Sequence, residues 1–145
     1  MITTWFDRIE IGERTRTTAR TITETDIVQF AMLSGDWFPL HIDTEYAATT
    51  AYGERIAHGM LVLTIATGLI TLAPPYVVAF YGIDWLRFVN PVKIGDTIHV
   101  ETEVFAKQLR NDTVGVVSHT LIVKNQRDED VIVATTKMAV AREPA

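Results

Sequence analysis

An α+β fold is predicted by the order in which two kinds of hydrophobic pattern follow each other along the 145 residues. Helix-type spacing and helix-start signals lie in the first half of the chain. The second half carries long β-branched and aromatic segments separated by turn-forming residues. Helices followed by a run of antiparallel strands are typical of α+β domains, so we expect a curved sheet around one central apolar helix.

Two helices are predicted from their capping residues. Thr23 is expected to cap the first, because Asp26, three positions later, supplies the acid of a capping pair. Gly35 is a suitable terminator for that helix, since glycine readily adopts a left-handed conformation. Asp43 is expected to cap a second, short helix.

A third helix, from Met60 to about Leu72, is predicted from its composition. Gly59 opens it, Pro74 and Pro75 end it, and it is apolar on almost every side. The run is too short to span a bilayer, so it is interpreted as a helix wrapped by protein.

Strands are predicted for the rest of the chain. Apolar and polar residues alternate from Ile98 to Val104, which is the period of a half-buried strand. His99 and His119 fall on strand patterns and are expected to face solvent or a subunit contact. The predicted strand segments are Val77–Phe88, Ile98–Val104, Val114–Val123 and Val131–Ala141.

Composition limits the classes of function. The length fits one domain, here taken as residues 1–145. The absence of cysteine excludes disulfides, thiol nucleophiles and thiolate metal sites, and a net charge of −5 does not favour nucleic-acid binding. No secretory signal or membrane span is recognised, and a cytoplasmic location is expected. No histidine–carboxylate cluster has the sequence spacing of a metal site, so no metal is expected.

An acid and an imidazole stand five positions apart at Asp36 and His41, on a predicted loop whose shape Gly35 and Pro39 restrict. Such a pair could act as general acid and base in adding water to an activated carbon–carbon double bond. Gly59 follows at a helix start, where free backbone N–H groups could stabilise the oxygen of a developing enolate. The alternatives are structural: Asp36 in a turn, His41 as a partly buried histidine and Gly59 as a close-packing glycine.

Further candidates have equally ordinary explanations: His58 could contact substrate, but a histidine at this place more often orients a neighbouring loop. Hydroxyls on the third helix more often bond to the preceding turn than to a ligand, and large aromatics more often pack in a core or interface. Arginines at positions 14, 16 and 20 could meet the phosphates of a carrier or be exposed strand charges. The candidate substrate-binding residues are Ser34, Trp37, Phe38, His58 and Thr67.

Between Phe30 and Leu61 the chain carries a joint motif: Ser34-Gly35-Asp36, Pro39, His41, Asp43, Gly53, Ile56 and His58-Gly59-Met60-Leu61. This motif resembles that of the MaoC-like, (R)-specific enoyl-CoA hydratases of the hot-dog fold. The segment Arg87–Ile98 also looks like a strand and turn of that family, so the resemblance covers most of the chain. Two residues depart from the pattern: Phe38 stands in place of asparagine and Tyr52 in place of phenylalanine.

The resemblance implies a hot-dog sheet wrapped around the third helix, in a homodimer or higher homo-oligomer with an acyl tunnel near the subunit interface. It implies that Asp36 and His41 hold and activate water, that the Gly59 backbone N–H binds the thioester oxygen and that Thr67 supplies a pocket hydroxyl. It implies no metal or organic cofactor. Phe38 adds bulk beside the pair, which would shorten or redirect the acyl channel.

Three functions follow from these expectations. The favoured one is hydration of a trans-2-enoyl thioester to an (R)-3-hydroxyacyl thioester, or the reverse dehydration. The alternatives are a hot-dog thioesterase, in which Asp36 activates water against the carbonyl, and a non-catalytic acyl-thioester-binding partner subunit. Coenzyme A is preferred over acyl carrier protein as the substrate's carrier, because no dense basic docking patch is visible in the sequence.

Overall fold

Six strands form one antiparallel sheet in the computed structural model, which describes residues 1–144. The strands are β1 (Arg14–Arg16), β2 (Arg20–Thr21), β3 (Val77–Phe88), β4 (Thr97–Leu109), β5 (Val114–Lys124) and β6 (Asp130–Ala141). Their order in the sheet is β1-β4-β5-β6-β3, and β2 pairs with another part of β4. A short 3₁₀ turn, Phe6–Arg8, precedes the first strand. The helices are α1 (Glu24–Ser34), α2 (Pro39–Ile42), α3 (Thr44–Ala48) and α4 (Gly59–Leu69).

The predicted caps are confirmed. Thr23 Oγ1 accepts the backbone N–H of Asp26, and the Asp26 carboxylate accepts the backbone N–H of Thr23, so the two residues form a capping box for α1. Gly35 ends that helix with φ of 75° in the left-handed region. The Asp43 carboxylate accepts the backbone N–H of Tyr46 and so caps α3.

Helix α4 packs against one face of the sheet and forms the centre of the core. Its apolar side chains meet the buried row of the long strands, as the alternation in the sequence predicts. The buried residues of α4 are Leu61, Val62, Leu63, Ile65 and Ala66, and those of the facing strands include Ile98, Val100, Leu121, Val123, Ile132 and Ala134.

The predicted end of α4 near Leu72 is wrong, because the helix ends at Leu69. The backbone beyond the helix pairs with the N-terminal segment instead: Ile2 N–H donates to the carbonyl of Thr71, and Ala73 N–H donates to the carbonyl of Ile2. These hydrogen bonds require extended backbone, so the chain leaves the helix before the prolines are reached.

The expectation that His99 and His119 face solvent or a subunit contact is also wrong, because both are buried within the single chain. His119 belongs to the row of β5 that carries Val117 and Leu121 into the core. His99 lies with its Nε2 3.4 Å from a carboxylate oxygen of Glu101.

Strand β3 ends the sheet. It pairs with β6 on one side, and within residues 1–144 no strand pairs with its other edge. Several of its apolar side chains are exposed, including Val78, Phe80 and Trp85. None of the helices that the structure describes is long and apolar enough to cross a membrane.

Candidate active site

Asp36 is held at the C-terminal end of α1. The Ser34 hydroxyl donates to the carbonyl of Phe30 and accepts the backbone N–H of Asp36, so it fastens the residue to the last helical turn. The exposed Asp36 carboxylate accepts the backbone N–H of Phe38 at 3.2 Å. One hydrogen bond therefore holds the amide of Asp36, and one holds its carboxylate.

His41 lies on α2, a short helix that replaces the predicted loop. Pro39 occupies the first helical position, where its missing N–H costs nothing. His41 Nδ1 lies 2.7 Å from the backbone carbonyl of Ile56. Since a carbonyl can only accept, Nδ1 carries the proton, and Nε2 of the neutral ring keeps its lone pair. This tautomer suits a general base.

The buried side chain of His58 contacts both Asp36 and His41. Its Nε2 donates to the backbone carbonyl of Asp36 at 3.0 Å, and its ring stacks on that of His41 with centroids 3.9 Å apart. Only 2% of its surface is exposed. Burial lowers the pKa of His58 below its usual value and outweighs the hydrogen bond to Asp36, which favours the charged form. The ring is accordingly neutral near pH 7.

Gly59 is the first residue of α4. His58, which precedes it, makes no side-chain cap hydrogen bond, so the first N–H groups of this helix are free to bind a ligand oxygen. A Cβ at Gly59 would lie 2.8 Å from the ring of Phe88. Close packing against Phe88 is therefore one reason for glycine at position 59. This packing leaves the backbone N–H available to a ligand.

These groups line one cavity of about 320 Å³. Its polar end carries Asp36, His41 and His58, next to Gly59 at the start of α4. Apolar side chains line most of the remainder, including those of Val62, Phe88, Val92 and Ile132. A concave site that combines apolar side chains with a few converging polar groups is the usual form of a small-molecule site.

A carboxylate oxygen of Asp36 and one ring nitrogen each from His41 and His58 lie within 4.8 Å of one another. Sequence spacing did not reveal this cluster. However, His41 Nδ1 and His58 Nε2 are each committed to a backbone carbonyl, and the two rings are stacked with 31° between their planes. Stacked rings do not direct both remaining lone pairs at one ion, so the arrangement fits paired imidazoles better than a tetrahedral metal centre.

The remaining candidate residues lie outside the lining of this cavity. Trp37 and Phe38 are about half exposed, with the Phe38 ring centroid 6.1 Å from that of His41. The Thr67 hydroxyl donates to the carbonyl of Thr64 in the preceding turn. Ser34 positions Asp36 rather than facing the cavity.

The three arginines near the N-terminus each pair with a carboxylate. Arg14 pairs with Glu103 and Arg16 with Glu101, across the β1–β4 ladder. Arg20 pairs with Asp26 of the α1 capping box. These arginines are therefore better described as exposed charges on strands than as a phosphate-binding site.

Most of the cavity lining is not among the candidates from the sequence, and Phe88 and Ile56 are two examples. Phe88 was assigned only to a strand, although its position within the resembling Arg87–Ile98 segment was a usable signal. Ile56 contributes its backbone carbonyl, and a carbonyl leaves no trace in a side-chain pattern.

A hot-dog sheet around a central helix, with a carboxylate, an imidazole and a helix N-terminus at one cavity, is the arrangement expected of the MaoC-like class of protein. The family model described as a MaoC-like domain matches residues 8–126. The chain therefore belongs to the MaoC-like dehydratase family. A mycobacterial protein described as having a double hot-dog fold superposes with a TM-score of 0.87 at 22% identity, covering 97% of this chain and 45% of that one, and confirms the fold.

The sequence relatives carry two kinds of name, Protein MaoC and (R)-specific enoyl-CoA hydratase. Protein MaoC of Klebsiella aerogenes is 44% identical over 108 residues, which are 74% of this chain and 32% of that protein. This chain thus spans about a third of that relative. The (R)-specific enoyl-CoA hydratase of Aeromonas caviae is 38% identical over 104 residues, covering 72% of this chain and 75% of the relative.

A solved structure from Archaeoglobus fulgidus, described as a monoamine oxidase regulatory protein, is also similar. It superposes with a TM-score of 0.92 at 45% identity, covering 97% of this chain and 96% of that one. The similarity therefore extends over nearly the whole fold.

Proposed function

We propose that this protein adds water to a trans-2-enoyl thioester to give an (R)-3-hydroxyacyl thioester, or catalyses the reverse dehydration. The observation that carries the proposal is the tautomer of His41. Its Nδ1 proton is held by the Ile56 carbonyl, which leaves the Nε2 lone pair free on a ring that lines the same cavity as Asp36. The Aeromonas relative, named as an (R)-specific hydratase, supports the stereochemistry.

In the proposed reaction, one water lies between Asp36 and His41. The pair takes a proton from this water as its oxygen forms a bond to the β-carbon of the substrate. Electrons move from the double bond to the thioester oxygen, which the Gly59 N–H stabilises at the α4 N-terminus. The α-carbon then takes up the proton held by the pair, so atoms and charge balance. We treat Asp36 and His41 as one coupled unit.

This addition changes no oxidation state overall and uses water as its only co-substrate, so the proposal assigns no metal or organic cofactor to the site. Coenzyme A is the proposed carrier, and acyl carrier protein is the alternative. The apolar cavity of about 320 Å³ favours a short acyl group.

The proposed assembly is a homodimer formed through β3. That strand has an open edge and exposed apolar side chains such as Val78 and Phe80. The unpaired N–H and C=O groups of such an edge form a template with which another chain can pair.

The test is the loss of enoyl-thioester absorbance when the purified protein meets crotonyl-CoA, compared with the Asp36→Asn variant. Loss of the carboxylate is expected to slow hydration about 10²- to 10⁴-fold. Asp43→Asn is the matched control, because asparagine caps a helix as well as aspartate does and Asp43 acts as the cap of α3. Unchanged hydration by Asp36→Asn would refute the assignment.

The same assay separates the alternatives. Release of free thiol from a saturated acyl-CoA would identify a thioesterase. Binding of crotonyl-CoA without turnover, with activity regained only on addition of another chain, would identify a partner subunit.

A further inference from the structure

His58 is the residue at which all parts of the site meet. It precedes Gly59 in the chain, donates a hydrogen bond to the backbone of Asp36 and stacks on the ring of His41. The ring of Phe30, on α1, packs against the His58 ring, with the two ring centroids 5.0 Å apart. The His58 side chain therefore connects α1, α2 and the start of α4 at the wall of the cavity.

We propose that His58 is a positioning residue. Its Nε2–H fixes the backbone of Asp36, and its ring fixes the ring of His41, so that the two side chains keep their relative positions. The inference rests on the proposed function for its catalytic consequence only. It differs from direct substrate binding, because the buried ring has committed its Nε2–H to the Asp36 carbonyl and its Nδ1 is buried without a partner among the described residues.

The hydrogen bond acts on the Asp36 carboxylate through the main chain. The carbonyl of Asp36 is joined to the same Cα as the side chain, so fixing it at 3.0 Å fixes the origin of the carboxylate. Ser34 holds the amide side of the residue. Without His58, the carbonyl of Asp36 would lose its partner, and only the hydrogen bonds with the Ser34 hydroxyl and the Phe38 N–H would hold the residue relative to His41.

The stack acts on His41 by replacing water. A centroid distance of 3.9 Å leaves no space for solvent between the rings, so one face of His41 is covered by an uncharged group. Burial lowers the pKa of His58, and the charge of a protonated His41 lowers it further. His58 consequently remains neutral when His41 takes a proton, which avoids two adjacent positive charges. Asp36 acts in the opposite direction.

Two substitutions separate the donor from the ring. His58→Phe keeps an aromatic ring for the stack but removes the donor to Asp36. His58→Gln keeps an N–H donor at similar reach but removes the stack. For the phenylalanine variant we expect kcat with crotonyl-CoA to fall on the order of 10²-fold, with little change in KM, because a small misplacement of reacting groups has effects of this size. For the glutamine variant we expect a smaller loss of kcat.

The pH profile provides a readout that a purely structural role would not move. His41 becomes better hydrated in His58→Gln, which favours its charged form. The acid limb of kcat/KM should therefore move to higher pH in His58→Gln and stay in place in His58→Phe. NMR titration of the His41 ring in the free protein should show the same difference without any substrate.

His119→Gln is the matched control for removing a buried histidine, since His119 lies on β5 away from the cavity. Wild-type kcat in His58→Phe, or losses equal to those of His119→Gln, would overturn the inference. So would a His41 titration that is the same in both His58 variants. If the unchanged protein hydrates no enoyl thioester, the proposed function fails, while the NMR titration still decides the role of His58.

Discussion

The ring of Phe88 occupies the space beside Gly59 that any side chain at position 59 would need. Two ring carbons lie 2.8 Å from where a Cβ would stand, closer than carbon atoms pack. Phe88 closes β3, and Gly59 opens α4. The contact therefore sets how closely the end of the sheet approaches the helix N-terminus.

We expect Gly59→Ala to push the half-exposed Phe88 ring towards the cavity. Overpacking of this kind costs about 1–3 kcal/mol, and the displaced ring would obstruct the space above the α4 N-terminus. Hydration of crotonyl-CoA should fall, with a measurable drop in Tm. Adding Phe88→Leu should restore much of both, because a shorter side chain leaves room for the methyl group. Native activity and Tm in the single variant would contradict this account.

Asp96 is expected to stabilise the turn before β4 as a carboxylate. Burial by itself would raise the pKa of Asp96, but hydrogen bonds from the Gln126 side chain, the Lys93 backbone and Arg127 lower it overall. A lowered pKa means that this contribution is present above the usual aspartate range and is lost as pH falls through the folded-state pKa.

Asp96→Asn should therefore lower the free energy of unfolding at pH 7 by roughly 1–3 kcal/mol, because an amide leaves buried donors unsatisfied. The difference from the unchanged protein should shrink on acidification. Urea unfolding at several pH values measures it. Glu129→Gln, which alters a more exposed carboxylate of the same cluster, serves as the comparison. Equal effects of the two substitutions would count against the assignment to Asp96.

His119 is expected to make the protein less stable in mild acid. Burial, and to a smaller extent the ammonium group at Met1, lowers the pKa of His119 to about 4. An unfolded histidine titrates near pH 6.5, so between these values the unfolded state binds the extra proton. The free energy of unfolding should thus fall as pH drops from about 6.5 to about 4. His119→Gln should have a shallower slope over that range, and an identical slope would refute the prediction.

The edge of β3 is expected to form the homodimer contact. Phe80→Glu places a charge on an exposed apolar position of that strand, and a buried unpaired charge opposes association. Light scattering should show a dimer for the unchanged protein and a monomer for the variant. Leu109→Glu, an exposed position at the end of β4, should remain dimeric. A monomeric unchanged protein at micromolar concentration would exclude this assembly.

The elements predicted from the sequence are those whose signals are local. The capping box of Thr23 and Asp26 lies within four residues, and the alternation of β4 follows directly from the pleat. The end of α4 could not be predicted, because it depends on pairing between Thr71 and Ile2, which are far apart in the chain. The burial of His119 could have been predicted, since it shares the parity of Val117 and Leu121.

For the candidate site, the sequence identified side chains but not their connections. Asp36 and His41 were chosen for their chemistry, and the cavity brings them together. The partner of His41 is the main chain of Ile56, fifteen residues away. Similarly, the stack between His41 and His58 depends on how α2 and α4 pack, which no pattern within either helix encodes.

Both histidines in the cavity are anchored to backbone carbonyls, at positions 36 and 56. Every amino acid carries this acceptor, so neither anchor depends on the identity of the residue that provides it. Position 56 can vary in sequence without releasing His41. At position 36, replacing aspartate by asparagine removes the charge but keeps the carbonyl that holds His58. At this residue the carboxylate can thus be removed without losing the carbonyl that anchors His58, which makes Asp36→Asn a clean probe of the carboxylate.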